Sequence, residues 1–167
     1  EAVIKTVADP YMNEETAQWA KSMGVMNTTK DPSDIMNDPE IDAVLICSST
    51  DTHSSLSLEA IKAGKHVFCE KPIDHDVDKI KEVIAALEGT GLKYQVGFNR
   101  RFDHNFEALQ KAVADGKVGK PEIIKITSRD PEPPGVDYVK SSGGMFLDMT
   151  IHDFDMARFL AGCDATE

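Results

Sequence analysis

Asp148 and His152 form the residue pair best suited to proton transfer in this sequence. On a helix they lie one turn apart on the same face, so the carboxylate can accept the imidazole N–H, fix its tautomer and stabilise the protonated ring. Asp155 shares that face and could bind the hydroxyl groups of a substrate. Two other readings stay open for these three side chains: a solvated helix surface, or a set of metal ligands.

Lys71 is the second candidate, because Glu70-Lys71-Pro72 directly follows an apolar run. A proline after a strand predicts a sharp turn, for which a cis Lys71–Pro72 bond is one geometry. Such a turn would aim the ammonium group into a cleft, where it could stabilise the charge that develops on an alkoxide oxygen. The alternative is an ordinary loop cation.

Charge and composition narrow the class of partner. The 167 residues are 41% hydrophobic and carry a formal net charge of −11, which argues against a nucleic-acid groove or an anionic membrane surface and favours a small-molecule ligand. No CxxC motif is formed by the three cysteines, Cys47, Cys69 and Cys163. We therefore expect that they bind no metal, and that they are reduced thiols in a cytoplasmic protein. No apolar stretch approaches the length of a membrane span.

The first part of the chain alternates between strand and helix patterns. This order predicts an α/β fold, a Rossmann-type doubly wound parallel sheet whose ligands bind at the carboxyl ends of the strands. The expected strands cover residues 3–8, 43–47, 66–69 and 94–97. The expected helices begin near residues 13 and 31, after His53, and after a cap at Asp74.

The pattern changes after Gly97, where we predict a domain boundary. Residues 1–97 are expected to form a partial dinucleotide-binding domain, and residues 98–167 the start of an α+β substrate and oligomerisation domain. The second part should contain a helix over 106–114, a strand over 123–127, a loop over 130–135 and a final helix over 144–160.

Asp9 ends the first predicted strand, where a dinucleotide-binding sheet places the carboxylate that binds the cofactor ribose. That carboxylate normally follows a GxGxxG turn by roughly 20 residues. The sequence contains no GxGxxG, so the first strand and the pyrophosphate turn are expected upstream of Glu1, and the chain alone is expected to bind NAD poorly and to self-associate. Taken alone, Asp9-Pro10 is also a plausible turn.

Three motifs together resemble one known family. Glu70-Lys71-Pro72, the run from Gly97 to Arg101, and the run from Asp148 to His152 are similar in order and spacing to the inositol dehydrogenase branch of the glucose-fructose oxidoreductase family. The resemblance implies oxidation of a secondary hydroxyl of an inositol, myo-inositol to 2-keto-myo-inositol, or of a related polyol. It also implies a homo-oligomer, a dimer or tetramer, with NAD as cofactor. NADP is less favoured because Asp9 would repel its 2′-phosphate.

The same resemblance assigns roles to individual residues. The alternatives left open are another sugar dehydrogenase of the family and a non-catalytic nicotinamide sensor, which has no need of a proton-transfer pair. The implied catalytic residues are Lys71, Asp148 and His152; the substrate-binding residues are Arg100, Asp130 and Asp155; and the cofactor-binding residues are Asp9, Ser48, Ser49, Thr50, His53, Glu70 and Lys71.

Overall fold

The computed structural model describes residues 2–166, which contain five short strands and eight α-helices. The strands are β1 (Thr6–Ala8), β2 (Asn27–Thr29), β3 (Ala43–Ile46), β4 (His66–Cys69) and β5 (Tyr94–Val96). The helices are α1 (Glu14–Ser22), α2 (Ser33–Met36), α3 (His53–Lys62), α4 (Val77–Leu87), α5 (His104–Ala114), α6 (Val136–Ser141), α7 (Gly144–Asp148) and α8 (Ile151–Ala161), and 3₁₀ turns cover Thr50–Thr52 and Asn99–Phe102.

All strand pairs in the described residues are parallel, as the alternating pattern predicts. They form two sheets, one of β1 and β2 and one in the order β3-β4-β5. In the larger sheet Ile46 pairs with Cys69, and Cys69 with Val96, so the three strands end at one edge. The α/β class and the Rossmann-like parallel architecture are therefore confirmed.

Side-chain caps set where several helices begin. The Asn13 side chain accepts the backbone N–H of Thr16 at the start of α1, and the Thr16 hydroxyl accepts the N–H of Asn13 in return. Asp76, not Asp74, caps α4, so the predicted cap was wrong by two residues. Asp74 instead accepts the Ser54 hydroxyl and the Asp76 N–H, which ties α3 to the turn before α4.

The core lies on one face of the larger sheet. Alternate residues of β3 and β4 point towards α3 and α4, as the twofold repeat of a strand requires. Leu45 points to the other face and is 68% exposed. The larger sheet is thus covered by helices on one side in the described residues, with a core of Val44, Ile46, Ala60, Ile61, Val67, Cys69 and Val83.

Two predicted elements of the second part differ from the structure. Residues 123–127 form no strand, because they have no hydrogen-bonded partner strand in the described chain. The single helix predicted over 144–160 is broken at Met149 and Thr150 into α7 and α8. Helix α6 and strand β2 were not predicted, since Asn27-Thr28-Thr29 lacks an apolar run and α6 follows a segment rich in proline. Among residues 2–166, no helix is both long and apolar enough to cross a membrane.

Candidate active site

Lys71 leaves the end of β4 and reaches the end of α7. The Lys71–Pro72 bond is cis, as the sequence suggested. The Lys71 Nζ donates to the Asp148 backbone oxygen at 2.7 Å and to Asp148 Oδ1 at 2.8 Å. Both side chains are largely buried, at 16% and 23% exposure, so this is a partly desolvated ion pair and not a loop cation in open solvent.

Asp148 has a second donor that the sequence did not reveal. The Tyr138 hydroxyl, on α6, donates to Asp148 Oδ1 at 2.9 Å. Burial raises the pKa of the Asp148 carboxyl, but the hydrogen bonds from Lys71 and Tyr138 outweigh it and hold that pKa below its usual value. Asp148 is therefore an anion that fixes the lysine and the tyrosine in place.

His152 does not make the expected hydrogen bond to Asp148. The break between α7 and α8 places the two residues on different helices, and the Asp148 carboxylate is bonded to Lys71 and Tyr138. The His152 Nδ1 is buried and has no hydrogen-bond partner. The predicted contact was wrong because it assumed one continuous helix through residues 148–152.

The surroundings of His152 keep its imidazole neutral. Burial is the largest cause that lowers its pKa, and the nearby positive charges of Lys71 and Arg100 lower it further. The Phe98 ring meets the imidazole edge to face, with 6.3 Å between ring centroids. A neutral imidazole can accept a proton on the ring nitrogen that carries none, which is the property required of a general base.

The two arginines after Phe98 bind different acidic residues of α8. Arg100 donates to Asp153, through its Nη1, and to the Ser128 hydroxyl at 2.9 Å. Arg101 makes a two-point pair with Asp155, at 2.8 Å and 2.6 Å. The Asp155 side chain is only 5% exposed and both its oxygens are engaged, so it anchors the segment after β5 to α8.

The structure gives less support to the other predicted substrate and metal residues. Asp130 is exposed and lies in an irregular segment. Asp148, His152 and Asp155 do not form a metal-binding group, and no cluster of three or more His, Cys, Asp or Glu suited to a metal was found in residues 2–166.

The predicted cofactor residues lie at the carboxyl ends of three strands. After β3, Ser48 and Ser49 are exposed, and the Ser48 hydroxyl lies 2.6 Å from the Thr52 hydroxyl. Thr50 begins the 3₁₀ turn that leads into α3, and His53 is buried beneath it. After β1, Asp9 is exposed, and its Oδ1 accepts the Tyr11 N–H at 2.7 Å.

Glu70 packs against the backbone of Gly97. A methyl group at residue 97 would lie 2.8 Å from Glu70 Oε2, closer than carbon and oxygen can approach. The Gly97 N–H donates to the Cys69 oxygen at 2.8 Å and so continues the pairing of β4 with β5. A side chain at residue 97 would therefore require the Glu70 carboxylate to move.

Sequence comparison identifies the family. Residues 2–98 match the oxidoreductase family with an NAD-binding Rossmann fold named GFO_IDH_MocA, and residues 106–167 match the GFO/IDH/MocA C-terminal domain. The chain belongs to the GFO/IDH/MocA oxidoreductase family.

GFO/IDH/MocA proteins similar to this chain include inositol dehydrogenases. Myo-inositol 2-dehydrogenase of Thermotoga maritima is 46% identical over 167 residues, which cover 100% of this chain and 50% of that protein. Inositol 2-dehydrogenase of Rhizobium meliloti is 56% identical over 123 residues, 74% of this chain and 37% of that protein. The chain spans about half the length of the curated relatives that it matches along its whole length.

One similar solved structure contains NAD(H) and an inositol. Scyllo-inositol dehydrogenase from Lactobacillus casei, with bound cofactor NAD(H) and scyllo-inositol, matches with a TM-score of 0.84 and 35% identity, over 95% of this chain and 48% of that one. A probable dehydrogenase from Thermotoga maritima matches with a TM-score of 0.91 and 47% identity, over 97% of this chain and 49% of that one.

Proposed function

We propose that the full-length protein containing this chain is an NAD-dependent dehydrogenase that oxidises a secondary hydroxyl of an inositol, converting myo-inositol to 2-keto-myo-inositol. One observation carries the proposal: the part-buried His152, which is neutral at neutral pH, lies within the electrostatic influence of Lys71, which Asp148 anchors. A group that can take a proton and a group that can stabilise an oxyanion are the two that alcohol oxidation needs from the protein.

In this proposal each residue has a separate task. The His152 imidazole accepts the proton of the reacting hydroxyl, and Lys71 donates a hydrogen bond to the same oxygen as negative charge develops on it. Asp148 holds the ammonium of Lys71 in position and compensates its charge. Arg100, which Asp153 and Ser128 orient, lies where its charge affects His152 and is proposed to contact the substrate, as is the exposed Asp130. The direct substrate contact expected of Asp155 is not kept, because Arg101 bonds both its oxygens.

The cofactor side of the proposal depends on residues at the strand ends. The exposed carboxylate of Asp9 suits the ribose hydroxyls of NAD and repels the 2′-phosphate of NADP. Ser48, Ser49, Thr50 and Glu70, with Lys71, would hold the nicotinamide half at the edge where β3 and β4 end. The nicotinamide ring, when bound, accepts the hydride from the carbon that carries the hydroxyl.

We also propose the division of the chain into a dinucleotide-binding part, residues 1–97, and the beginning of a substrate domain, residues 98–167. Contacts between these parts run through Lys71 and Asp148, so the candidate site lies where they meet. A cytoplasmic homo-oligomer, a dimer or tetramer, completes the proposal.

The test is a panel of polyols and sugars assayed with NAD and with NADP on the full-length protein. We expect myo-inositol or scyllo-inositol to give the highest kcat/KM, with NAD as the preferred cofactor, and an Asp9→Ser variant to lose that preference while keeping its polyol preference. Faster oxidation of another sugar would assign the protein to a different dehydrogenase activity. Cofactor binding without oxidation of any compound would identify a sensor and overturn the proposal.

A further inference from the structure

His53 is a buried histidine whose two ring nitrogens both face backbone carbonyl oxygens. It is the first residue of α3 and is 2% exposed. Its Nδ1 lies 2.7 Å from the Pro72 oxygen and its Nε2 lies 3.0 Å from the Ser48 oxygen. These distances are within the range of hydrogen bonds, and a carbonyl oxygen can only accept.

The two acceptors determine the protonation state of the ring. A neutral imidazole carries one N–H and could satisfy one of these oxygens, whereas the imidazolium carries two and satisfies both. Burial lowers the pKa of His53, but the nearby Cys69 sulfur and the Pro72 and Ser48 carbonyl oxygens raise it above the ordinary histidine value. Three ionisable side chains lie near this ring. Cys69 of β4 is next to His53, and Tyr94 of β5 is next to Cys69. Asp74 accepts the hydroxyl of Ser54, the residue after His53 in α3.

The two carbonyl groups belong to the two loops that flank the candidate site. Ser48 begins the loop after β3, and Pro72 directly follows Lys71 in the loop after β4. An imidazolium that donates to both oxygens fixes the distance between these two loops. It therefore also restricts the backbone from which the Lys71 side chain extends to Asp148.

We propose that His53 is a positioning residue: a buried imidazolium that joins the Ser48 loop to the Pro72 carbonyl and thereby holds Lys71 in its catalytic position. This role differs from the direct cofactor contact expected from the sequence, because both ring nitrogens are already bonded within the protein. The inference rests on the proposed function for its kinetic consequence, but the protonation state of His53 can be measured independently of it.

The first experiment records the imidazole ¹⁵N resonances of the full-length protein at neutral pH, with a His53→Gln variant to assign the signal. We expect both His53 nitrogens to be protonated, as two carbonyl acceptors require. A single protonated nitrogen on His53 at neutral pH would overturn the proposal, whatever reaction the enzyme catalyses.

The second experiment is a double-mutant cycle in full-length protein, with His53→Gln, Lys71→Met and both together. Loss of a charge-assisted hydrogen bond should lower kcat for inositol oxidation by roughly 10- to 100-fold. We expect His53→Gln to have little further effect once Lys71 is replaced, because a residue that acts through Lys71 couples to it. The matched control His104→Gln should retain wild-type kcat.

Multiplicative effects of the two substitutions, or an unchanged kcat in His53→Gln, would refute the positioning role. If the wild-type protein oxidises no polyol, the proposed function has failed, and the ¹⁵N spectra alone decide the protonation state of His53. If His53→Gln does not fold, a His53→Asn variant with the same cycle replaces it.

Discussion

Replacing His152 with Ala in the full-length protein is expected to lower the turnover of inositol by roughly 10²–10⁴-fold, the usual contribution of a positioned general base. Cofactor affinity should change little, because the imidazole takes a proton from the substrate. Steady-state kinetics and an NAD titration on the same preparation measure both quantities. Asp148→Asn should do less damage, since an amide oxygen can still accept from Lys71 and Tyr138.

The dependence of kcat/KM on pH is a second test of the role of His152. Burial and the charges of Lys71 and Arg100 hold the pKa of His152 below the ordinary histidine value of 6.5. The neutral ring is the active form, so kcat/KM should stay level through neutral pH and fall only as the pH drops through that lowered pKa. His152→Ala should lose this acid limb. Wild-type turnover in His152→Ala across neutral pH would show that another group takes the proton.

Replacing Lys71 with Met should lower kcat by roughly 10²–10³-fold, as removal of one oxyanion-stabilising donor does in other enzymes. The change keeps an unbranched side chain, shorter by one atom, and removes its charge. It also leaves the Asp148 carboxylate partly buried without its cation, so some loss of thermal stability is expected as well. Kinetics and thermal unfolding of the same samples separate the two effects.

Lys71→Met should also change the pH profile in a defined direction. The charge of Lys71 is one of the causes that lower the pKa of His152, so its removal should move the acid limb of kcat/KM to higher pH. Lys81→Met is the matched control, because Lys81 is 68% exposed and pairs only with Asp78 in the same helix turn. If Lys71→Met and Lys81→Met had equal kcat values, Lys71 would have no part in the reaction.

Local patterns in the sequence were enough to predict most of the first half of the fold. The apolar runs at β3 and β4, the cap and following glycine of α1, and the glycine after α3 specify their elements through nearby residues alone. β2 could not be predicted, because Asn27-Thr28-Thr29 is a strand only through its pairing with β1. Residues 123–127 show the converse, since a β-branched run without a partner forms no strand.

The sequence drew attention to individual residues of the candidate site but did not reveal how they contact one another. Lys71, Asp148 and His152 were all singled out, but the partner of Asp148 was taken to be His152, four residues away, and not Lys71, which is 77 residues away. The helical spacing of residues in a sequence does not show where a helix is interrupted, as it is at Met149 and Thr150. The contact of Tyr138 with Asp148 could not be predicted from the sequence, because it depends on where α6 packs.

The contact between Glu70 and Gly97 constrains how this sequence can vary. A side chain at residue 97 and a glutamate at residue 70 compete for the same space, so the effect of a substitution at either position depends on the residue at the other. Alanine at residue 97 becomes compatible with the fold only when the side chain at residue 70 is shortened or turned away. The two positions are therefore expected to be epistatic, although 27 positions separate them and each belongs to a different motif of the sequence.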